Sequence, residues 1–395
     1  MLNKEILDSK VQEYINQHLA DDIHKIAMGK SPFPGIEAGE LANQISAKRK
    51  AAKKLPFLSE KELIYYPRPL SVEQCSSQAT AEYKSSLAIG DTLIDLTGGF
   101  GIDALFFAQK VARVTHCELD PELSEIAAYN AGVLQQSNME FVAGDGLEHL
   151  ASTPENFDTI YLDPARRSTA GKVFMLRDCT PNLVENQELL LTKSNRVIIK
   201  TAPLLDITAG LRELSNVVEI HIISVKNECK ELLWVLEKGA FVSPKIVAVT
   251  LNETTKEFSF RKGEEMTDAE ILESSPSSGF LYEPDTSLLK SGAFNLIASR
   301  YGLKKLHAQT QLYHADNIVR AFPGRIFKIA GILGAAELKK NKEITANVIS
   351  RSYPDKAELL QNKYRIRPND KRFLIFTQSS KDGYLIIDAE ILQHY

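Results

Sequence analysis

The feature that most constrains the fold is a short apolar segment that runs into a glycine-rich turn. Residues 91–104 read DTLIDLTGGFGIDA, where the apolar segment reaches Asp95 and three glycines follow closely. The segment predicts a β-strand, and a helix is expected from about Ile102. Glycine tolerates positive φ angles and lets a ligand approach the backbone. We therefore predict a ligand site beyond the carboxyl end of this strand.

Strand-like and helix-like segments alternate from Asp91 onwards. Alternation of this kind predicts a parallel sheet with helices on both faces. The last two strand-like segments are separated by a short link, so we expect them to form an antiparallel hairpin. The predicted fold class is α/β, with a Rossmann-like sheet of seven strands at residues 92–96, 111–118, 139–143, 157–163, 196–200, 217–225 and 232–237.

The remaining sequence predicts three further regions. Residues 1–85 carry apolar side chains at helical spacing and are predicted to be helical. Residues 241–322 and 323–395 are predicted as two α+β domains that follow the sheet domain at 86–240. The first of them should open with a hairpin at 245–265. The stretch 274–294 is rich in turn-forming residues and is predicted to be a loop at a boundary.

Charge is distributed unevenly along the chain. Residues 300–395 hold 17 Lys and Arg residues against 9 Asp and Glu, whereas the rest of the chain holds 30 against 42. A basic module on an acidic body is typical of proteins that bind a polyanion such as a nucleic acid. The alternative is a solvated surface with uneven charge.

Four predicted strands are each followed by an acidic residue. Asp95 and Glu118 end the first and second strands, and Asp145 and Asp163 follow the third and fourth. The carboxyl ends of parallel strands meet at one edge of a sheet, so these side chains should line one site. If the ligand contains an adenosine and a methyl donor, we expect Glu118 to accept hydrogen bonds from the ribose hydroxyls and Asp145 from the adenine amino group. Asp163 should then face the methyl donor.

Two ligands fit this pattern to different degrees. Gly99, Gly101 and Ala104 satisfy the GxGxxA pattern of dinucleotide sites, with Glu118 on the ribose. Asp95 disfavours that reading, because a carboxylate beside the turn repels a pyrophosphate. It favours a ligand with a positive group, such as S-adenosyl-L-methionine.

In this order the motifs resemble those of the class I S-adenosylmethionine-dependent methyltransferases. DLTGGFG (95–101), CELDP (117–121), GDG (144–146) and DPARR (163–167) resemble the four motifs, and the resemblance covers about residues 72–240. It implies a cofactor site for S-adenosyl-L-methionine formed by Asp95, Thr97, Gly98, Gly99, Gly101, Glu118, Asp145 and Gly146.

A narrower resemblance extends over most of the chain. EQCSSQATAEYKS (73–85) is similar to a segment of bacterial methyltransferases that carry a small ferredoxin-like domain and a C-terminal THUMP-like domain, and it implies cofactor contacts from Gln74 and Thr80. Residues 241–322 then correspond to the ferredoxin-like domain and 323–395 to the THUMP-like domain. The segments that carry this resemblance are FLYEPDTSLLKSGAF, YGLKKLH, PGRIFKI and ANVISRSYPDKAELLQNKY.

The DPARR motif limits the chemistry of the acceptor. Asp163 and Arg166 are the predicted catalytic residues: Asp163 would orient or deprotonate the acceptor, and Arg166 with Arg167 would clamp a phosphate. The alternative for both arginines is a structural ion pair with Asp163 or Asp103. Amino methyltransferases often carry a D/N-P-P-aromatic motif, from which this sequence departs. A pyrimidine-C5 mechanism is disfavoured, because RVIIKTAPLLD (196–206) has no cysteine nucleophile.

The favoured function is methylation of a base in tRNA or rRNA. The alternatives are a small-molecule or protein methyltransferase, and a noncatalytic RNA-binding protein that keeps the cofactor fold. THUMP domains bind RNA, so the resemblance together with the basic charge implies RNA contacts. The candidates are Lys304, Lys305, Arg325, Lys328, Lys339, Lys340 and Arg351, with Tyr301, Phe327, Tyr353 and Tyr364 as stacking candidates.

Other classes of protein are disfavoured. The sequence has no metal-ligand spacing, and its four cysteines form no CxxC pair. It has no apolar run of membrane-spanning length, and its first residues lack a signal-peptide core. We therefore expect a cytoplasmic protein with reduced thiols and no membrane partner.

Overall fold

The structure is a computed structural model that describes residues 2–166, 175–340 and 343–395. It divides into two compact units. Unit 1 contains the residues up to Val218 together with Leu233–Val242, and unit 2 contains Glu219–Leu232 and Ser243–Tyr395. None of the helices in the described residues is long and apolar enough to cross a membrane.

The N-terminal part of unit 1 is helical, as predicted. Aspartate side chains cap the first two helices by accepting N–H bonds in the first turn, and Ser77 caps the sixth. The apolar faces of these helices pack against those of two later helices in one core cluster, which includes Leu41, Ile45 and Phe106. The helices are α1 (Ser9–Gln17), α2 (Ile23–Met28), α3 (Ala38–Lys54), α4 (Pro56–Ser59), α5 (Pro69–Gln74) and α6 (Gln78–Ser85).

Two buried amide side chains hold the extended segment at Tyr65 and Tyr66. Asn130 accepts the Tyr65 N–H at 3.0 Å and donates to the Tyr65 carbonyl at 2.8 Å. Gln44 does the same for Tyr66, at 3.1 and 2.6 Å. Each amide supplies a donor and an acceptor, as a neighbouring strand would. The segment therefore satisfies its backbone without joining a sheet.

The strands and helices of the predicted sheet domain follow in the predicted alternation. Most boundaries agree within two residues, although the seventh strand of the sheet begins four residues earlier than predicted. The short pair β5 and β6 was not predicted. The elements are β1 (Thr92–Asp95), α7 (Ile102–Phe107), β2 (Arg113–Glu118), α8 (Pro121–Val133), β3 (Met139–Ala143), α9 (Gly146–Ser152), β4 (Phe157–Leu162), β5 (Ala165–Arg166), β6 (Cys179–Thr180), α10 (Leu183–Lys193), β7 (Ser194–Thr201), α11 (Ile207–Glu213), β8 (Val217–Val225) and β9 (Glu228–Glu237).

The sheet has the predicted Rossmann-like order. Strands β7, β4, β1, β2 and β3 are neighbours in that order and pair in parallel. β9 lies between β7 and β8, although it follows β8 in the chain. The predicted α/β class is confirmed, and the seven predicted strands lie in one sheet, which has nine strands in the described residues. The ends of β1, β2, β3 and β4 meet at one edge, and the acidic residues follow them there.

The rest of the chain forms two more strands of this sheet and then a second sheet. β10 pairs in parallel with β8 and antiparallel with β11, so the predicted hairpin at 245–265 extends the first sheet. The elements are β10 (Lys245–Leu251), β11 (Thr255–Arg261), β12 (Phe280–Pro284), α12 (Thr286–Ser291), α13 (Phe294–Tyr301), β13 (Lys304–His307), β14 (Thr310–Ala315), β15 (Gly324–Leu333), α14 (Ala335–Lys340), β16 (Asn347–Ser350), α15 (Ala357–Tyr364), β17 (Arg372–Ser379) and β18 (Gly383–Gln393).

The second sheet crosses the domain boundary placed at 322 and 323. Its seven strands run in the order β13, β14, β12, β15, β18, β17, β16. β12 pairs with β14 on one side and with β15 on the other, so strands from both predicted domains share one hydrogen-bonded ladder. The stretch 274–294, predicted to be a loop, contains β12 and α12. Both elements are short, and the serines and Pro284 around them are residues typical of turns, so the sequence pattern predicted a loop.

We expect Asn130→Ala to lower the free energy of unfolding. The change removes both hydrogen bonds to the buried Tyr65 backbone, and leaving each group unpaired costs about 1–3 kcal/mol. Asn16→Ala, at an exposed position of α1, is the matched control and should change stability little. Guanidinium unfolding followed by circular dichroism measures both. Equal midpoints for the two variants would contradict the role given to Asn130.

Candidate functional site

The glycine-rich turn after β1 has the conformation that its sequence requires. Gly99 and Gly101 have φ angles of +55° and +83°, in the left-handed region that favours glycine. Gly101 caps the start of α7. The Gly98 N–H donates to the Cys117 carbonyl at 2.7 Å, and the Gly99 N–H donates to Glu118 Oε2 at 2.7 Å. The turn is therefore tied to the end of β2.

Gly98 lies directly against a buried histidine. A Cβ atom at this position would lie 2.2 Å from His116 Nε2, so only glycine fits. Burial lowers the pKa of His116 to about 4, although nearby backbone groups of Gly98 and Gly99 oppose the shift. The imidazole is thus neutral at physiological pH.

Six of the predicted site residues line one cavity of about 140 Å³ beside this turn. They are Gln74, Asp95, Thr97, Gly98, Gly99 and Asp163. Sequence reasoning missed the other lining residues. They come from α5, the segment after it, the glycine-rich turn and the first turns of α7 and α8: Ser71, Cys75, Ser76, Phe100, Ile102, Asp103 and Leu123.

Asp95 is the most deeply buried acid of the cavity, with 1% of its surface exposed. Its Oδ1 accepts the Thr97 N–H at 3.0 Å. Burial raises the pKa of Asp95 well above its ordinary value, and the negative charges of Asp103, Asp163 and Glu118 add to the shift. A cationic group placed in this cavity would stabilise the ionised form.

Asp103, in the first turn of α7, has a buried cationic partner. Lys84 Nζ lies 3.0 Å from its Oδ1, and Ser76 and Tyr161 donate to its Oδ2 at 2.8 and 2.9 Å. Burial alone would raise the pKa of Asp103. Lys84, Lys200 and the Ser76 hydrogen bond outweigh burial, so its pKa is lowered. Lys84 is fully buried and was not predicted, because a single lysine in a polar helix gives no signal.

Asp163, at the end of β4, is held from two sides. Its N–H donates to Thr97 Oγ1 at 2.6 Å, and its carboxylate accepts a hydrogen bond from Lys200. Lys200 lies near the end of β7, the neighbouring strand. The RVIIK segment carries a signal for Lys200, because a lysine stands there at the end of an apolar strand. Asp163 and Lys200 together place a carboxylate and an ammonium beside the glycine-rich turn.

The remaining acidic residues occupy the ends of β2 and β3. Glu118 accepts the Asp120 N–H at 2.8 Å in addition to the Gly99 bond. Asp145 caps α9 by accepting from Leu147 and Glu148. A Cβ atom on Gly146 would lie 2.4 Å from the Leu96 carbonyl, so this glycine lets the end of β3 approach the end of β1.

Thr80 and the two arginines of the DPARR motif were also predicted to belong to the site. Thr80 is buried in α6, where its hydroxyl donates to the Ser77 carbonyl, and it is not among the cavity-lining residues. The backbone of Arg166 forms the short strand β5 with Cys179 as its partner, but its side chain lies outside the described part of the structure. Arg167 lies outside the described residues as well.

The predicted RNA-contacting residues differ in how they are placed in unit 2. Lys305 is only 3% exposed and donates to Asn295 and to the Ala308 carbonyl, so it cannot present its charge to RNA. Lys304 reaches the surface and pairs with Glu270 at 3.0 Å. Arg325 and Arg351 share Glu283. Lys328, Lys339 and Lys340 are exposed.

The cysteines and the metal-ligating residue types add no further site. All four cysteines are free thiols, as expected. Burial raises the pKa of Cys75, beside the cavity, to about 11, so this thiol is a poor nucleophile. Within residues 2–166, 175–340 and 343–395, no group of three His, Cys, Asp or Glu side chains could hold a metal ion.

Known proteins resemble this chain along its whole length. A crystal structure provisionally described as a methyltransferase from Porphyromonas gingivalis W83 superposes with a TM-score of 0.88 at 28% identity, covering 100% of both chains. An uncharacterized S-adenosylmethionine-dependent methyltransferase of Mycobacterium tuberculosis H37Rv is 21% identical over 357 residues, 87% of this chain and 94% of that protein. The predicted resemblance to the S-adenosylmethionine-dependent methyltransferases is confirmed.

Two shorter matches refine this methyltransferase resemblance. Residues 280–323 match a ferredoxin-like domain family, which confirms that part of the prediction and places its start at β12. An uncharacterized RNA methyltransferase of Mycoplasma mobile is 32% identical over 88 residues, which is 22% of this chain and 24% of that protein. The THUMP-like assignment of 323–395 stays a prediction.

We expect the free energy of unfolding to decrease as the pH is lowered, and His116 to cause part of that decrease. Its folded-state pKa of about 4 lies below the ordinary 6.5, so the unfolded chain binds a proton first as the pH falls. The native state should lose roughly 3 kcal/mol between pH 6.5 and 4, and no more below that. His116→Asn should remove this part of the slope. Denaturant unfolding at several pH values measures it, and parallel slopes for parent and variant would contradict the assignment.

Proposed function

We propose that this chain binds S-adenosyl-L-methionine and transfers its methyl group to a base in RNA, with tRNA or rRNA as the acceptor. The observation that carries the proposal is the meeting of four acidic residues and a glycine-rich turn at one sheet edge. Asp95 and Asp163 line the cavity there, Glu118 is bonded to its glycine turn, and Asp145 follows the adjacent strand.

The chemistry of the cavity fits this cofactor. The carboxylates of Asp95, Asp103 and Asp163 line it, and Asp95 has no buried cation of its own among its described contacts. S-adenosyl-L-methionine carries an ammonium and a sulfonium, which such a cavity stabilises, whereas a pyrophosphate would be repelled. Gly99, which also lines the cavity, has no atom closer than 3.9 Å to the place of a Cβ, so its backbone leaves room for a ligand to approach.

The bound cofactor would supply an electrophilic methyl group, and the chain would supply position and a water-poor site. Asp163 is placed to accept a hydrogen bond from the acceptor and so to orient it. Lys200 holds that carboxylate from the side of β7. Thr97 fixes the backbone of Asp163 relative to the turn. These contacts make Asp163 the proposed catalytic residue and Lys200 a positioning residue. Arg166 stays a proposed phosphate contact.

Charge and similarity both support RNA as the acceptor. The basic excess of residues 300–395 suits a polyanion. The Mycoplasma mobile relative is an RNA methyltransferase by name. Incubation of the protein with labelled S-adenosyl-L-methionine and RNA from cells that lack it, followed by nucleoside mass spectrometry, tests the proposal. Labelled nucleoside in RNA is the expected result, and label confined to protein or small molecules would refute it.

Glu118→Ala should weaken S-adenosylhomocysteine binding by about 1–3 kcal/mol, the range for lost hydrogen bonds to a charged group. The variant also loses the bond to the Gly99 N–H. Asp145→Ala should cost less, since a water can replace its carboxylate on the adenine amine. Isothermal titration calorimetry measures both. If neither variant binds S-adenosylhomocysteine more weakly, then Glu118 and Asp145 do not contact the adenosine part of the cofactor.

Asp163→Ala should abolish methyl transfer while leaving affinity for S-adenosylhomocysteine nearly intact. The reason is that Asp163 would contact the acceptor, while the turn and Glu118 would hold the cofactor. Asp158→Ala is an unsuitable control, because Asp158 anchors Asp91 and Thr92. Glu148→Ala, at an exposed position of α9, is suitable. Loss of turnover and cofactor binding together in Asp163→Ala would instead assign Asp163 to the cofactor pocket.

A further inference from the structure

A polar cleft of about 620 Å³ lies within unit 2, at the end of β16 and the start of α15. Its size is that of a ligand site rather than of a packing defect. Its lining includes three basic side chains, Arg325, Arg351 and Lys356, and one acidic side chain, Asp355. Asp355 pairs with Lys363 at 2.9 Å, so the cleft carries an excess of positive charge.

A buried carboxylate holds the two arginines in place. Glu283 in β12 is cross-strand partner to Arg325 in β15 and accepts from Arg325 Nε at 2.6 Å. Arg351 Nη2 lies 2.7 Å from the other oxygen of Glu283. One carboxylate therefore faces two guanidinium groups, and the cluster keeps a net positive charge. An anion that contacts both would reduce the repulsion between them.

Arg351 is the member of this cluster that reaches solvent, with 43% of its side chain exposed. Its backbone N–H donates to the Phe376 carbonyl, and its Nη1 donates to the Ser350 carbonyl at 2.9 Å. The guanidinium is thus fixed before any ligand arrives, which lowers the entropy lost on binding. Guanidinium groups arranged in this way suit phosphate oxygens.

The rest of the lining suits a nucleotide chain better than a small anion. The Asn347 amide and the Ser350 hydroxyl donate to the Asn369 and Asp355 carbonyls, and the side-chain oxygens of Asn347, Ser350 and Ser352 can accept hydrogen bonds from ribose and base edges. Tyr353 is half-buried, and its ring packs edge-on against Phe376 and Tyr384 at centroid distances of 5.3 and 5.2 Å. Such a braced ring can stack on an unpaired base. Phe327 and Tyr364, the other aromatic candidates near this region of the sequence, are buried.

We propose that this cleft binds a phosphodiester segment of single-stranded RNA, with Arg351 and Lys356 on phosphate oxygens and Tyr353 against a base. The proposal rests on the proposed function for the identity of the polyanion. Glu283 acts through Arg351 by holding its guanidinium. Arg351 lines this cleft, whereas Lys304 and Lys305 lie outside its lining and contact Glu270 and Asn295 instead.

The test is the affinity of the full chain for a fluorescein-labelled single-stranded RNA of mixed sequence, measured by anisotropy between 50 and 200 mM salt. Lys356→Gln and Arg351→Gln should each weaken binding about tenfold and reduce the salt slope by roughly 0.7 per lost phosphate contact. Lys381→Gln is the matched control, since it removes one exposed charge of unit 2 outside the cleft lining. It should change affinity less than about twofold.

Lys356→Gln keeps the test valid if Arg351→Gln disturbs folding by leaving Glu283 with one partner. Unchanged affinity and salt slope in Lys356→Gln and in the double variant would overturn the proposal. So would displacement of the RNA by inorganic phosphate at equal concentration, which would assign the cleft to a small anion. S-adenosylhomocysteine binding, measured by calorimetry on the parent protein, tests the cofactor site separately. If the parent protein binds RNA but does not bind S-adenosylhomocysteine, only the proposed function is refuted.

Discussion

The buried ion pair between Lys84 and Asp103 is the interaction on which the cavity beside the glycine-rich turn depends. Asp103 lies in the first turn of α7, directly after the glycine-rich turn, and Lys84 belongs to α6. Removing two charges from water is costly, and the contact is stable only because Ser76 and Tyr161 satisfy the other oxygen. Loss of either charge would leave the other buried without this partner, so the pair ties α6 to the first turn of α7.

Close approach of backbone segments is the second constraint on the site. Gly98 packs against His116, and Gly146 packs against Leu96, so that the ends of β1, β2 and β3 converge. Even the smallest side chain at either glycine would force these strand ends apart. The distances between the acidic residues are therefore set by two positions that carry no functional group themselves.

Much of this arrangement could be predicted from the sequence, because strong local patterns encode it. Four apolar strands, each with an acidic residue at or just after its end, predicted the sheet edge and the cavity residues Asp95 and Asp163. Lys84 and Lys200 could not be predicted with the same rules, since a single lysine has the same pattern in solvent as in a buried pair. Lys305 is the reverse case. It was predicted to be exposed because it lies in a basic segment, but its side chain is buried.

The second sheet shows a different limit. The boundary at 322 and 323 was predicted from the resemblance to two known domain types, but hydrogen bonding between β12 and β15 depends on residues far apart in the chain and leaves no local signal. The ferredoxin-like match at 280–323 likewise stops before β15, which supplies one neighbour of β12.

The central place of β15 has a consequence for how unit 2 is made in the cell. β15 pairs with β12, some forty residues earlier, and with β18, which ends at Gln393. During synthesis the earlier strands can form hairpins, but the ladder across the middle of the sheet cannot close until β18 has left the ribosome. A nascent chain stalled before that point would expose the unpaired edge of β15, with its alternating apolar side chains. Chaperone dependence should therefore be greatest between the emergence of β15 and the emergence of β18.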